Sequence, residues 1–250
     1  MNIDKNNIIL ERENKIIYKD GKNLVKLFKN NYPKSNILNE ALNHSRVEET
    51  DLLVPKLIEV AKKEEGWAIT LEHINGKNLN TLMQEKPEKE DMYLEIFVDT
   101  QLKILSKQVP LLNRLKDKLK RKIEASNLSD ILKYELYTRL ESMPKHIKVC
   151  HGDFNPSYIF IDDKDNIYII DWAHVSQGNA SADVAQSYML FCLEGKKDLA
   201  DKYLQLFSKK SNIPVSNIQK WLPIVAASEL NKYEGKEKQM LLDWINVVEY

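Results

Sequence analysis

The stretch His151-Gly152-Asp153-Phe154-Asn155-Pro156-Ser157-Tyr158-Ile159-Phe160-Ile161, followed by Asp162-Asp163-Lys164-Asp165-Asn166 and then Ile167-Tyr168-Ile169-Ile170-Asp171-Trp172, decides how the chain reads. Two short apolar runs flank a polar turn, the signature of a β-hairpin. Asp153 stands before the first run and Asp171 after the second, so both carboxylates emerge at the open end, within about 10 Å by strand spacing. Two acids converging there suit a general base and a metal ligand. The competing reading is two loop aspartates that cap backbone N–H groups, and spacing alone leaves both open. The turn Asp162–Asn166 lacks the glycine and glutamate of a calcium-binding loop and reads as a solvated hairpin turn.

Working outward, the N-terminal third reads as strands with one helix. Ile16-Ile17-Tyr18 and Leu24-Val25-Lys26-Leu27-Phe28 flank Lys19-Asp20-Gly21-Lys22, where Gly21 can supply a positive φ. Alternation puts Leu24, Lys26 and Phe28 on one strand face and Val25 and Leu27 on the other, so a lysine is embedded in an apolar strand. Ser35 is the expected N-cap of a helix from about Asn36 to Glu49, with Ile37, Ala41 and Leu42 along one stripe. A strand pair follows at Pro55–Val60 and Trp67–His73. Residues 78–142 read as mostly helical, with Arg114–Lys122 as the solvated side of an amphipathic helix. Strands return briefly at Lys148–Cys150, Tyr158–Ile161 and Ile167–Ile170, and helices run from there to the end, broken near Ile213-Pro214. The expected organisation is a strand-rich N-terminal lobe over 1–75 and a helical C-terminal lobe over 76–250, and the resemblance described next implies that the first of them binds nucleotide.

The whole of this pattern resembles the aminoglycoside phosphotransferase / choline kinase family of the protein-kinase-like fold. The resemblance rests on His151-Gly152-Asp153, a strand, a turn and Asp171-Trp172, and on Lys26, Glu40 and Leu71-Glu72-His73-Ile74-Asn75-Gly76 in the family's order. It implies an α+β bilobal fold, with a small strand-rich N-lobe carrying one main helix and a larger, mostly helical C-lobe. It implies an ATP-dependent (or GTP-dependent) O-phosphotransferase acting on a hydroxyl of a small molecule, whether aminoglycoside-, sugar- or amino-alcohol-like. Asp153 would accept or orient the acceptor proton, and Asp171 would hold Mg²⁺ on the nucleotide phosphates. Lys26 would neutralise phosphate charge while Glu40 keeps its ammonium aimed; Glu48 and Glu49 are rival partners further along the helix. Backbone around Glu72 and Ile74 would hold adenine. His151 would support the loop, and Asp183 would brace it from the start of a helix.

Two departures qualify the implied activity. Five residues after Asp153, where the family carries a metal-binding Asn, this chain has Tyr158. The alternative reading is therefore a nucleotide-binding but inactive kinase-like protein. The glycine-rich phosphate loop is also missing, with Leu10-Glu11-Arg12-Glu13-Asn14 in its place. The interval from Asp171 to Asp183 is too short for a peptide-binding activation segment, which favours a small acceptor over a protein. Glu229, Glu234, Glu237 and Asp243 could make the acceptor pocket acidic and suited to amines, although Lys232, Lys236 and Lys238 intervene and a mixed solvated face is the competing reading.

Composition narrows the remaining classes. Lys+Arg and Asp+Glu both count 37, so the absence of a basic excess argues against nucleic-acid and polybasic membrane partners. No apolar run approaches the ~18 residues of a membrane-spanning helix. Cys150 and Cys192 make neither a disulfide framework nor a zinc spacing, and His44, His73, His146 and His174 share no metal spacing. The expectation is a cytoplasmic protein of undetermined oligomeric state, with free thiols.

Overall fold

A computed structural model describes Asp4 and residues 7–246 of the 250-residue chain. The N-terminal strands are β1 (Ile8–Glu11), β2 (Lys15–Asp20), β3 (Asn23–Lys29), β4 (Leu57–Lys62) and β5 (Gly66–Glu72), with α1 (Lys34–Glu48) between β3 and β4. They form one antiparallel sheet in the order β1-β2-β3-β5-β4. The β2–β3 turn is closed by Gly21 at φ +58°, a conformation that costs a glycine nothing. β3 is central, so both of its edges are hydrogen-bonded, and consecutive residues Val25 to Phe28, which alternate between its two faces, are all buried. Phe28 packs with Ile37, Ala41, Ile69 and Leu71, and Leu24 lies against that cluster; Val25 and Leu27 pack with Tyr18 and Ala68 on the opposite face. Lys26 therefore projects from the face that α1 covers.

The helix differs from its expected form in two respects. It begins at Lys34, because the Pro33 carbonyl accepts the first bonds from Asn36 and Ile37 and Pro33 is already held at φ −60°; Ser35 makes no cap. Its inward face is Ile37, Glu40, Ala41, His44 and Val47, while Leu42 is exposed. The buried stripe therefore follows the i, i+3, i+4, i+7 spacing through Glu40, a polar position that a search for apolar residues passes over.

Next along the chain are β6 (Gly76–Asn78), α2 (Leu79–Glu85), α3 (Glu90–Leu105), α4 (Leu115–Glu124) and α5 (Asp130–Ser142). Then come β7 (Lys148–Cys150), β8 (Ile159–Asp162), β9 (Ile167–Ile169) and β10 (Ser176–Gly178). The chain closes with α6 (Ala180–Leu193), α7 (Lys197–Ser211), α8 (Val215–Gln219), α9 (Leu222–Glu229) and α10 (Gly235–Ile245). Strands β8 and β9 form the expected hairpin, and β6 pairs on its other edge. The Asp162 carboxylate closes the hairpin turn by accepting N–H bonds from Lys164 and Asn166, an Asx-turn in place of any metal loop.

Contacts divide the chain into two compact units, residues 1–87 with 156–174, and residues 88–155 with 175–250. The first holds the five-stranded sheet, α1 and the β6–β8–β9 sheet. The second holds α3 to α10 and the β7–β10 pair. This grouping follows packing, whereas the expected lobes at residue 75 follow chain order. In the second unit, Phe97, Phe154, Phe191 and Tyr203 form an aromatic centre, with Phe97 4.6 Å from Phe154 and 5.3 Å from Tyr203 between ring centroids. No helix among the described residues is long and apolar enough to cross a membrane.

Candidate active site

The first unit contains a buried ion cluster. Lys26 Nζ donates to Glu40 Oε1 and to Asp171 Oδ1, at 2.8 Å in each case. Lys26 is 6% exposed and Glu40 8%, while the Asp171 side chain is 20% exposed. Burial alone would push the lysine's pKa down, but the Asp171 and Glu40 carboxylates outweigh it and hold the ammonium above the ordinary lysine value. Each member is positioned by a separate element. Lys26 comes from the middle of β3, Glu40 from the covered face of α1, and Asp171 from the segment leaving β9.

Asp171 takes up φ +65°, an uncommon conformation that aspartate tolerates better than most residues. The residues around it hold that turn. Ile170 N–H donates to the Tyr158 carbonyl, Ile169 N–H donates to the Leu53 carbonyl, and buried Trp172 donates its indole N–H to the Ile169 carbonyl. The turn Trp172–His174 packs against α1, which brings Asp171 to the Lys26–Glu40 pair. Of the rival glutamates, Glu48 instead accepts the Leu57 N–H at 3.0 Å, and Glu49 is exposed at the end of α1. His44, next along the buried face of α1, bonds the Pro55 carbonyl through Nε2 at 2.6 Å, and burial lowers its pKa.

Glu72 ends β5. Its N–H donates to the Lys56 carbonyl, and the N–H of His73 donates to the Lys22 carbonyl. Ile74 follows, half-buried, in the short link to β6. Glu11 and Glu13, the acids in the region of the missing glycine-rich loop, have exposed side chains.

The second unit holds the loop around Asp153. His151 and Phe154 are fully buried, with the two rings 5.7 Å apart. Gly152 lies at φ +79°, and its N–H donates to Asp183 Oδ1 at 2.8 Å. Phe154 sits in the aromatic centre, and its carbonyl accepts from the Ser187 hydroxyl at 2.8 Å. Asp153 is thus carried between two anchored neighbours. Asn155, whose direction sequence leaves open, turns its amide nitrogen back onto the Asp153 carbonyl at 3.0 Å.

Asp183 braces the loop from inside α6, whose N-cap is Asn179 and not Asp183 itself. Gln101 donates to Asp183 Oδ2 and also to Ser187, and accepts from Tyr203. Burial pushes the Asp183 carboxyl up to about 6, against the bonds from Gly152 and Gln101 that favour its ionised form. Gln101, Ser187 and Tyr203 went unnoticed in sequence. The one available signal was a glutamine among the apolar positions of α3, which any solvated glutamine would match.

Among the described residues no group of three or more His, Cys, Asp or Glu side chains forms a metal cage. Magnesium does not need one, since it is held by one or two carboxylates together with substrate phosphates and water. The Asp171 carboxylate, partly exposed and already facing a cation, is a hard oxygen donor of that kind.

A family model described as the phosphotransferase enzyme family matches residues 19–215. The chain belongs to that family. No curated protein sequence matches it. Among solved structures, it is similar to a thermostable mutant of aminoglycoside phosphotransferase APH(4)-Ia in its apo form, at TM-score 0.68 and 13% identity, covering 94% of this chain and 87% of that one. The same enzyme's ternary complex with ADP and hygromycin B aligns at TM-score 0.66 and 13% identity, over 94% and 86% of the two chains. Choline kinase LicA from Streptococcus pneumoniae aligns at TM-score 0.63 and 14% identity, over 96% and 92%. The fold is accordingly that of the protein-kinase-like phosphotransferases, with a small antiparallel sheet toward the N-terminus and a mostly helical remainder.

Proposed function

We propose that this protein transfers a phosphoryl group from ATP, or GTP, to a hydroxyl of a small molecule. The observation that carries the reading is the Lys26–Glu40–Asp171 cluster. Desolvating three charges is a poor way to gain stability. It is a good way to keep an ammonium and a carboxylate ready for an anionic nucleotide and its cation. Lys26 binds and neutralises phosphate oxygens, and Glu40 keeps the ammonium from swinging away when Asp171 is engaged elsewhere. Asp171 would hold magnesium, which when bound supplies charge neutralisation on the phosphates. The chain beyond β5, with Glu72 and Ile74, receives the base.

Asp153 orients the acceptor hydroxyl or takes its proton. Its anchored loop supports that assignment, because phosphoryl transfer depends chiefly on positioning and charge compensation. The ADP complex of the aminoglycoside phosphotransferase named above supports an adenine nucleotide here. A second reading, nucleotide binding without turnover, is favoured by Tyr158 at the position of the family's Asn.

One experiment separates the two readings. ADP release is followed with Mg-ATP and a panel of hydroxylated metabolites, and ATP binding is measured by isothermal titration with and without Mg²⁺. Turnover that disappears in Asp153→Ala while ATP affinity is retained supports the transferase. Magnesium-independent binding with no turnover on any acceptor supports the inactive module. Turnover that survives in Asp153→Ala refutes the role given to that residue.

A further inference from the structure

In the helical unit, the main chain on either side of Asp153 is held by side chains of α6. Before it, the Gly152 N–H donates to Asp183 Oδ1, and after it the Phe154 carbonyl accepts from the Ser187 hydroxyl, each at 2.8 Å. Asp183 and Ser187 stand four residues apart on α6, about one helical turn. The amide of Gln101, brought in by α3, joins them: its nitrogen lies 3.2 Å from Asp183 Oδ2 and 3.3 Å from Ser187 Oγ. Tyr203 on α7 donates its hydroxyl to Gln101 Oε1. All four side chains are buried.

The chemistry of these groups fixes the direction of every bond. An ionised carboxylate only accepts, so Asp183 takes the Gly152 N–H on one oxygen and a Gln101 N–H on the other. The Phe154 carbonyl also only accepts, and the single Ser187 proton goes to it, at 2.8 Å, in preference to the Asp183 carbonyl at 3.4 Å. The Ser187 oxygen is then the acceptor for the second Gln101 N–H, and Gln101 Oε1 is left facing the Tyr203 hydroxyl. Turning the amide over would set its oxygen against the carboxylate. Gln101 thus ties the clamp before Asp153 to the clamp after it.

Burying a carboxylate, an amide and two hydroxyls is a weak source of stability, because each must be desolvated. These groups converge instead on the two peptide groups that bracket Asp153, and placement is what phosphoryl transfer is sensitive to: a misplacement of about 1 Å can lower a rate on the order of 10²-fold. Resting on the phosphotransferase reading above, we infer that Gln101 is a positioning residue of the transfer step, which locks Asp183 and Ser187 together, sets the direction of Asp153 and governs turnover without taking part in nucleotide binding. Asp183 must be ionised to accept on both oxygens. Burial raises its carboxyl to about 6, and the N–H groups of Gly152, Gln101 and His151 and the charge of Lys118 on α4 oppose that rise. The Cys150 thiol of β7 and the Tyr203 phenol of α7, which burial keeps un-ionised, also lie in its field. Removing the Gln101 N–H therefore raises the Asp183 carboxyl further and moves the acid limb of turnover to higher pH.

The test is steady-state kinetics of the full chain with Mg-ATP, ADP release being followed over a panel of hydroxylated metabolites that includes ribose, glycerol and choline. Gln101→Met keeps the length of the side chain and removes its bonds: kcat falls at least tenfold, KM for ATP stays within twofold of wild type, and the acid limb of kcat moves up by at least half a pH unit. Ser187→Ala removes one hydroxyl and lowers kcat at least threefold at unchanged KM for ATP. The double variant lies no more than threefold below Gln101→Met, because both act through one loop. Ser187→Ala carries the test where circular dichroism shows Gln101→Met unfolded. A rise in KM for ATP that matches the fall in kcat, or an acid limb unmoved in folded Gln101→Met, overturns the proposal. Wild-type kcat in either variant refutes the positioning role alone, whereas a wild type that turns over no acceptor refutes the phosphotransferase reading and the positioning role with it.

Discussion

Replacing Lys26 with methionine keeps the volume of the side chain and removes its charge. Each of its two contacts spans 2.8 Å, worth about 6 kcal/mol in gross Coulomb terms at an effective dielectric of about 20. Desolvation of the three groups offsets most of that, so the cluster as a whole adds little net stability. Removing one member is a different matter, because two carboxylates are then left close together, one of them buried, with no counter-charge. We expect Lys26→Met to lose about 3–5 kcal/mol. Neutralising the two acids as well, with Glu40→Gln and Asp171→Asn, should recover at least half of that loss; asparagine suits the positive φ at position 171 as well as aspartate does. The measurement is urea unfolding followed by circular dichroism, with midpoint and slope fitted for the single and triple variants. A loss below about 1 kcal/mol in Lys26→Met, or a triple variant less stable than the single one, would refute the reasoning. In the same variants ATP affinity should fall and stay low, since restored packing does not restore a phosphate-binding ammonium.

Three further outcomes are expected. Tyr158→Asn should raise Mg²⁺-dependent turnover if the tyrosine is a lesion in the metal shell; lower turnover in a steady-state assay would instead show an adapted role for the phenol. Asp183→Ala should lose about 1–3 kcal/mol because the Gly152 N–H and Gln101 lose their acceptor, whereas Asp183→Asn, which keeps an acceptor for Gly152, should stay within about 1 kcal/mol at pH 7 by the same unfolding measurement. The lowered His44 pKa means that the unfolded chain binds the proton more readily, so this residue's contribution is lost as pH falls below about 6.5. Asp183, raised to about 6, works in the opposite direction as it protonates in the folded state. The His44 effect is therefore read as a difference: melting temperature should fall less between pH 7 and pH 5 in His44→Gln than in wild type, and an equal fall would contradict the assignment.

Much of this molecule was legible in the chain because its signals are local. A glycine between two apolar runs, alternation along β3, and an acid following the β8–β9 hairpin depend only on strand period and turn chemistry. Those signals located Lys26 and Asp171, and together with the family order they picked out Glu40. The start of α1 departs from the serine cap that sequence suggests, because here the Pro33 carbonyl supplies the backbone acceptor two residues earlier.

Choices between equivalent side chains required tertiary structure. Glu40 and Glu48 lie on α1 and Glu49 ends it, and only the packing of Ile37 and Ala41 against Phe28, Ile69 and Leu71 of the sheet decides which of them meets the lysine. The Gln101–Asp183–Ser187 bracing of the Asp153 loop joins α3 to α6 across a long span of chain, and no local pattern marks it. The lysines of α4 show the same division most plainly. Their spacing fixes which of them border the apolar stripe, but whether a bordering ammonium meets water or a buried glutamate depends on a helix a hundred residues away. Charge in a sequence is a count, whereas the field a ligand meets depends on which charges are buried together.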